Sequence, residues 1–289
     1  MLWKTTIQET LSAKYNQEIE IDQISGISGG SINETMLIST NKGKFFIKKN
    51  SANLYPEMFE KEAKGLKILS EKSPLKVPEI IAVGQSDNTS FLILIHIESG
   101  RKGPDFWNYF ARGLAQLHKN SADSFGLDHD NYIGSLHQSN KKHDNWVDFF
   151  QTERLEKQAK LARDRGRVSK TVVQSFENFY RALPGIFPIE PPALIHGDLW
   201  AGNYMVNNEG EGVLIDPAVY YGNREMDLGM SQLFSGFDSK LYDAYNCYYP
   251  MEKGWQERLD YCNLYPLMVH VNLFGGSYLN SIQSILRKF

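Results

Sequence analysis

The sequence predicts an α+β chain of two lobes: a small antiparallel-sheet lobe over residues 1 to about 97, and a mostly helical lobe over about 98 to 289. Three observations carry this reading. Before residue 97 the apolar residues fall into five strand-like stretches around one long amphipathic helix. From Pro104 onward the apolar period becomes helical. Polar residues able to do chemistry gather at His196-Gly197-Asp198-Leu199-Trp200-Ala201-Gly202-Asn203 and at Asp216.

Taken in order, Trp3, Ile7, Leu11 and Tyr15 recur every four residues and predict a short helix. Ile19 to Ile24 alternates apolar and polar, as a strand does. A glycine-rich turn, Gly29-Gly30-Ser31, then leads into the strand Met36-Leu37-Ile38. Such a turn lets backbone N–H groups approach phosphates, although its spacing is neither the dinucleotide fingerprint nor the Walker loop. Lys44 to Lys49 is the next strand, with Phe46 and Lys48 on one face and Phe45, Ile47 and Lys49 on the other. Lys48 is the candidate for reaching nucleotide phosphates, and solvated edge lysines are the plainer alternative.

A helix from about Tyr55 to Lys72 carries Glu60 and Glu62. Glu62 lies within the apolar arc beside Ala63 and is the preferred partner for Lys48. After the Pro74 and Pro78 break come the strands Ile80 to Val83 and Phe91 to Ile95. The second is apolar on both faces, which predicts burial. It runs into His96-Ile97-Glu98-Ser99-Gly100, an extended segment whose backbone could bind an adenine edge, with a plain polar strand end at His96 as the alternative.

In the helical half, Phe106, Phe110, Leu114 and Leu117 form a stripe ending at His118, read as a core or capping histidine. Residues 125 to 140 look like loop. Asn145 to about Arg165 reads as a helix whose arginines, Arg154, Arg163 and Arg165, are expected on a solvated face, with an anionic group as the alternative partner. Ala193 to Ile195 is a short strand, and residues 204 to 215 form a small hairpin. Asp227 opens a later helix, either as a plain N-terminal acid or as a support for the backbone near Asp198.

Composition narrows the classes. The chain is 42% hydrophobic and 22% charged with a net charge of −3, which is ordinary globular usage with no electrostatic footprint for nucleic acid. Cys247 and Cys262 are expected to be buried small hydrophobes rather than a disulfide, which suits a reducing compartment. No signal-peptide pattern and no membrane-length apolar run is present, so a cytoplasmic protein without a membrane partner is expected.

The polar constellation is the most specific feature. An Asn stands five positions after Asp198, and Asp216 stands thirteen positions beyond Asn203. Phosphoryl transfer needs a carboxylate to take the proton of the attacking hydroxyl, and an amide oxygen plus a second carboxylate to hold Mg²⁺. This order and spacing is that of a kinase catalytic loop. Turn residues bonding their own backbone would be the plainer account, but it leaves the spacing of all four polar residues to accident.

These residues carry a resemblance. His196 to Asn203, with Ile215-Asp216-Pro217-Ala218-Val219-Tyr220-Tyr221-Gly222-Asn223-Arg224-Glu225-Met226-Asp227-Leu228, resembles the fructosamine/ketosamine 3-kinase family, a branch of the aminoglycoside-phosphotransferase-like, protein-kinase-like fold. Gly29 to Asn33, Phe46 to Lys48, Met58 to Ala63, and Trp146 to Phe150 with Arg154-Leu155 are further matches. The resemblance implies an ATP- and Mg²⁺-dependent kinase acting on the 3-hydroxyl of a free or protein-bound ketosamine, in deglycation repair. It implies Asp198 as base, Asn203 and Asp216 as metal ligands, Lys48 as the phosphate lysine and Glu62 as its partner. Ile95, His96 and Ile97 would face adenine, and Trp200 would lie near the sugar. Ser31 stands where many members have Cys, so thiol control through that loop is not expected.

Three alternatives stay open on the sequence. An aminoglycoside, choline or homoserine kinase of the same fold is one, though no dense acidic cluster is visible. A protein kinase lacks its His-Arg-Asp, Asp-Phe-Gly and Ala-Pro-Glu signals here. A non-catalytic nucleotide-binding module is the third.

Overall fold

The computed structural model describes residues 2–27 and 32–289. The expected phosphate turn at Gly29, Gly30 and Ser31 lies outside the described residues. Chain contacts gather two compact units: Met1–Glu71, Leu75–Pro104 and Met205–Asp216 in the first, and Lys72–Pro74, Asp105–Tyr204 and Pro217–Phe289 in the second.

The first unit is built on a five-stranded antiparallel sheet. Its elements are α1 (Leu2–Tyr15), β1 (Ile21–Gly26), β2 (Glu34–Thr40), β3 (Gly43–Ser51), α2 (Met58–Lys72), β4 (Ile80–Ser86) and β5 (Thr89–Ile95). The strand order is β1-β2-β3-β5-β4. Because side chains alternate across a strand, β3 sends Phe45 and Ile47 to one face and Phe46 and Lys48 to the other. Ile7 and Leu11 of α1 pack with Phe45, Ile47 and Ile93. Phe59 and Leu66 of α2 pack with Leu92 and Leu94, flanked by Phe46. With a helix on each face, β5 is buried on both sides, as its unbroken apolar run predicts.

The hairpin of Tyr204–Val206 and Gly212–Leu214 belongs to the first unit from Met205 onward. Gly100 donates its N–H to the Val206 carbonyl (2.8 Å) and Gly103 to Gly210 (3.1 Å). A Cβ on Gly100 would meet the Asn207 carbonyl oxygen at 2.1 Å, so this close approach requires glycine. Leu214 donates to the Lys76 carbonyl (2.8 Å), which fixes the strand that leads to Asp216.

The second unit is mostly helical. Its strand Ala193–Ile195 pairs antiparallel with Tyr220–Gly222. Three sequence expectations are corrected here. The stretch 125–140 contains a hairpin, Asn131–Ile133 with Leu136–Gln138, whose three-residue strands are too short to show alternation. The helix beginning at Trp146 is π-helical over Phe150–Leu155, which turns Glu153, Arg154 and Leu155 all inward, so Arg154 is fully buried rather than solvated. Cys247 is exposed, because its helix turns Leu241, Tyr242 and Tyr245 inward and leaves that position outside; Cys262 is buried as expected. Among the described residues no helix is long and apolar enough to cross a membrane.

Candidate active site

In the first unit, Lys48 is 3% exposed and its ammonium sits between two carboxylates. Glu62 Oε1 is 2.7 Å away and Asp216 Oδ1 is 2.5 Å away. Strand alternation and the apolar arc of α2 thus pick out Lys48 over Lys49 and Glu62 over the exposed Glu60. Lys49 instead pairs with Glu34. Burial alone would pull the Lys48 ammonium down, but Asp216 and then Glu62 outweigh it and hold it above the usual lysine range. Burial pushes the Glu62 carboxyl up, and the ammonium works against that. A cation held protonated by two carboxylates favours the ionised form of Glu62 despite its burial.

Asp216 has φ +55°, in the left-handed region that few non-glycine residues adopt. Its side chain is 44% exposed, and Lys48 takes only one of its oxygens. At the end of β5, Ile95 and His96 donate their N–H groups to the Glu79 and Lys44 carbonyls (3.0 and 3.3 Å). Neither N–H is therefore open to a ligand. Burial, then Lys44, pulls the His96 imidazole below its usual range.

In the second unit, the loop after Ile195 is held from behind by Asp227. This fully buried carboxylate accepts the His196 and Gly197 N–H groups at 2.7 and 2.9 Å. His118 Nε2 lies 3.1 Å from it, and Tyr245 Oη lies 2.8 Å from His118 Nδ1. Burial would raise the Asp227 carboxyl, but the His118 bond and charge, the charge of His196 and the Gly197 N–H together bring it below the usual range. Gly197 has φ +83°, and a Cβ there would meet the Ala218 carbonyl oxygen at 2.1 Å, so only glycine fits.

Asn203 Nδ2 donates to Asp198 twice, to its carbonyl (2.8 Å) and to Oδ2 (2.9 Å). The amide oxygen of Asn203 therefore remains as an acceptor for a cation. The oxygens of Asn203 and Asp216, each in its own unit, are hard donors of the kind Mg²⁺ takes together with nucleotide phosphates. Among the described residues no cluster of three or more His, Cys, Asp or Glu side chains forms an all-protein metal cage.

Asp198 borders an open recess walled by Met226, Met230, Tyr265 and His270. His270 Nδ1 lies 2.7 Å from the Pro266 carbonyl, which can only accept, so Nδ1 carries the proton and Nε2 is the acceptor. Burial keeps this imidazole below its usual range, hence neutral at pH 7. Trp200 is 38% exposed and stands edge-on to Phe234 at 6.1 Å. Its indole lies over Gly202, where a Cβ would clash at 2.3 Å.

The sequence pattern described as "Fructosamine kinase" matches residues 2–289. The chain belongs to the fructosamine kinase family. An Enterococcus faecium member named "Probable ketoamine kinase" is 40% identical over 268 residues, covering 91% of this chain and 94% of its own. An Arabidopsis thaliana member named "Protein-ribulosamine 3-kinase, chloroplastic" is 36% identical over 273 residues, covering 92% and 82%. The crystal structure of a "Putative fructosamine-3-kinase" from Haemophilus somnus superposes with TM-score 0.89 at 29% identity, covering 99% and 97%. Aminoglycoside phosphotransferase APH(4)-Ia shares the fold, with TM-score 0.64 at 13% identity. As a fructosamine kinase family member, the chain is an α+β phosphotransferase of the protein-kinase-like fold.

Proposed function

We propose that this protein transfers the γ-phosphoryl of ATP to the 3-hydroxyl of a ketosamine, free or protein-bound, with Mg²⁺. One observation carries the reading: the Glu62–Lys48–Asp216 ion triplet around a buried ammonium, in a chain of this family. The ribulosamine 3-kinase among its relatives supports the acceptor class.

In this reading residues 1–97 are the nucleotide-binding lobe and residues 98–289 the catalytic and acceptor lobe. Lys48, held by Glu62, binds phosphate oxygens. Ile95, His96 and Ile97 border the adenine, and Gly29, Gly30 and Ser31 supply N–H groups to the phosphates. Asn203 and Asp216 would each offer Mg²⁺ an oxygen, and the ion would neutralise charge on the phosphates. Asp198 accepts the proton of the attacking hydroxyl, and Asn203 fixes its carboxylate for that task. Trp200 and the recess beside Asp198 receive the sugar. The reaction then needs little covalent chemistry from the protein; alignment and electrostatics supply the acceleration.

The test is product analysis. Incubation with ATP, Mg²⁺ and a fructosamine or ribulosamine should give a new phosphomonoester at the sugar 3-position by ³¹P and ¹H NMR, followed by release of the amine. A phosphate placed on another hydroxyl would overturn the assignment.

A further inference from the structure

Arg154 is 0% exposed, yet it has no carboxylate partner within 4.0 Å among the described residues. Its neighbour Glu153 turns instead to Ser139 Oγ (2.6 Å), His143 Nε2 (3.1 Å) and Lys157 Nζ (3.3 Å). The Arg154 guanidinium donates from Nη1 to the Ser139 carbonyl, and from Nη2 to Asn140 Oδ1 (2.7 Å). Its Nε–H makes no hydrogen bond. Three aromatic rings complete the box: Tyr220 at 3.9 Å, Phe149 at 4.6 Å and Tyr265 at 5.4 Å. Burying a cation with only neutral partners is costly, and an apolar side chain of similar volume often serves stability as well or better. Stability alone therefore does not account for an arginine at this position.

The neighbours of Arg154 lead to the recess. Tyr265 lies between them: one side of its ring faces the guanidinium, and the residue walls the recess that Asp198 borders. The Tyr265 hydroxyl donates to Gln138 Oε1 (2.7 Å). Gln138 Nε2 donates to Asn131 Oδ1 (2.8 Å), and Asn140 Nδ2 donates to the same oxygen (3.0 Å). Asn140 closes the circuit on Arg154. Two branches leave this circuit for the backbone after Pro217, from Gln138 to the Ala218 carbonyl (3.1 Å) and from Asn131 to the Val219 carbonyl (2.9 Å). Ala218 in turn donates to the His196 carbonyl (2.9 Å). A single guanidinium therefore braces both Tyr265 and the loop that carries Asp198.

We infer that Arg154 is a positioning residue for the acceptor: through Tyr265 and the Gln138–Asn131–Asn140 circuit it sets where the sugar sits against Asp198. This inference rests on the ketosamine-kinase reading above. It gives the π-helical turn a function, since the extra inward residue is what delivers Arg154 against Tyr265. A displacement of about 1 Å in the acceptor lowers turnover by roughly 10²-fold.

The experiment compares Arg154→Met, Arg154→Lys and Tyr265→Phe with the wild-type chain. It measures ketosamine KM and kcat, ATP KM, nucleotide affinity by calorimetry, and thermal midpoint. Expected for Arg154→Met is a loss of about 10²-fold in kcat/KM for the ketosamine, with ATP KM and nucleotide affinity within twofold of wild type. Arg154→Lys, which keeps the cation, should recover part of that loss. Tyr265→Phe keeps the ring but cuts the link to Gln138, and should lose about tenfold on the ketosamine side alone. Ketosamine kcat/KM within threefold of wild type in both Arg154→Met and Tyr265→Phe would overturn the inference. So would a parallel fall in nucleotide affinity, ketosamine kinetics and thermal midpoint, which marks a purely structural residue. If Arg154→Met does not fold, Tyr265→Phe decides in the same way. Wild-type enzyme that phosphorylates no ketosamine would instead reject the reading of function, and this inference with it.

Discussion

The Lys48 ammonium lies 2.5 Å from Asp216 Oδ1, across 168 positions of sequence, while Glu62 holds its other side at 2.7 Å. One buried cation therefore joins the strand, the helix and the segment that follows the hairpin. Removing it should leave Glu62 buried without its partner. Lys48→Met is expected to destabilise the fold by about 3 kcal/mol, and Lys48→Met with Glu62→Gln by clearly less. A urea-denaturation double-mutant cycle reads this coupling, and equal midpoints for the wild type and Lys48→Met would contradict it.

Asp198→Asn should retain nucleotide affinity and lose about 10²- to 10⁴-fold in kcat, because the amide cannot take the acceptor proton. Steady-state kinetics alongside nucleotide calorimetry separates the two effects. Turnover equal to wild type would remove Asp198 from the role of base.

Asp216→Ala takes away a hard oxygen donor and leaves the Lys48–Glu62 pair in place. Nucleotide binding should then lose its dependence on Mg²⁺. Calorimetric titrations with and without Mg²⁺ provide the check, and a normal Mg²⁺-dependent affinity would count against the ligand assignment.

Asp227 gives a pH-dependent prediction. Its folded-state carboxyl is held below the ordinary value, against burial, by the His118 bond and charge, the charge of His196 and the Gly197 N–H. A group depressed in this way contributes stability that is complete above its unfolded pKa of roughly 4 and is lost as pH falls through the lower folded value. The thermal midpoint of Asp227→Asn should thus lie well below wild type at pH 7, with the gap narrowing below about pH 4. A gap that stays constant down to pH 2 would contradict this.

Much of the site was legible because it obeys local rules. Alternation along β3 separates Lys48 from Lys49, and the apolar arc of α2 separates Glu62 from Glu60. The spacing of Asp198 and Asn203 matches their double hydrogen bond. The sequence allows Asp227 two roles, and its bonds to His196 and Gly197 fit the supporting one. What stayed hidden depends on partners far along the chain. His118 looks like any stripe-end histidine until Asp227, 109 positions later, is beside it. Arg154 reads as a solvated helix charge because an α-helical period assigns its face, and the π turn breaks that period. The strand Tyr220–Gly222 is three residues long and takes its partners, Ala193–Ile195 and Gly126, from earlier in the chain.

The most direct measurement is an Mg²⁺-dependent ATP-consumption screen of the purified chain over ketosamines, aminoglycosides and small amino alcohols such as choline and homoserine. Turnover with a fructosamine or ribulosamine, and none above background with the other two classes, is the predicted result. Turnover confined to an aminoglycoside or an amino alcohol, or no acceptor-dependent ATP consumption at all, would contradict it.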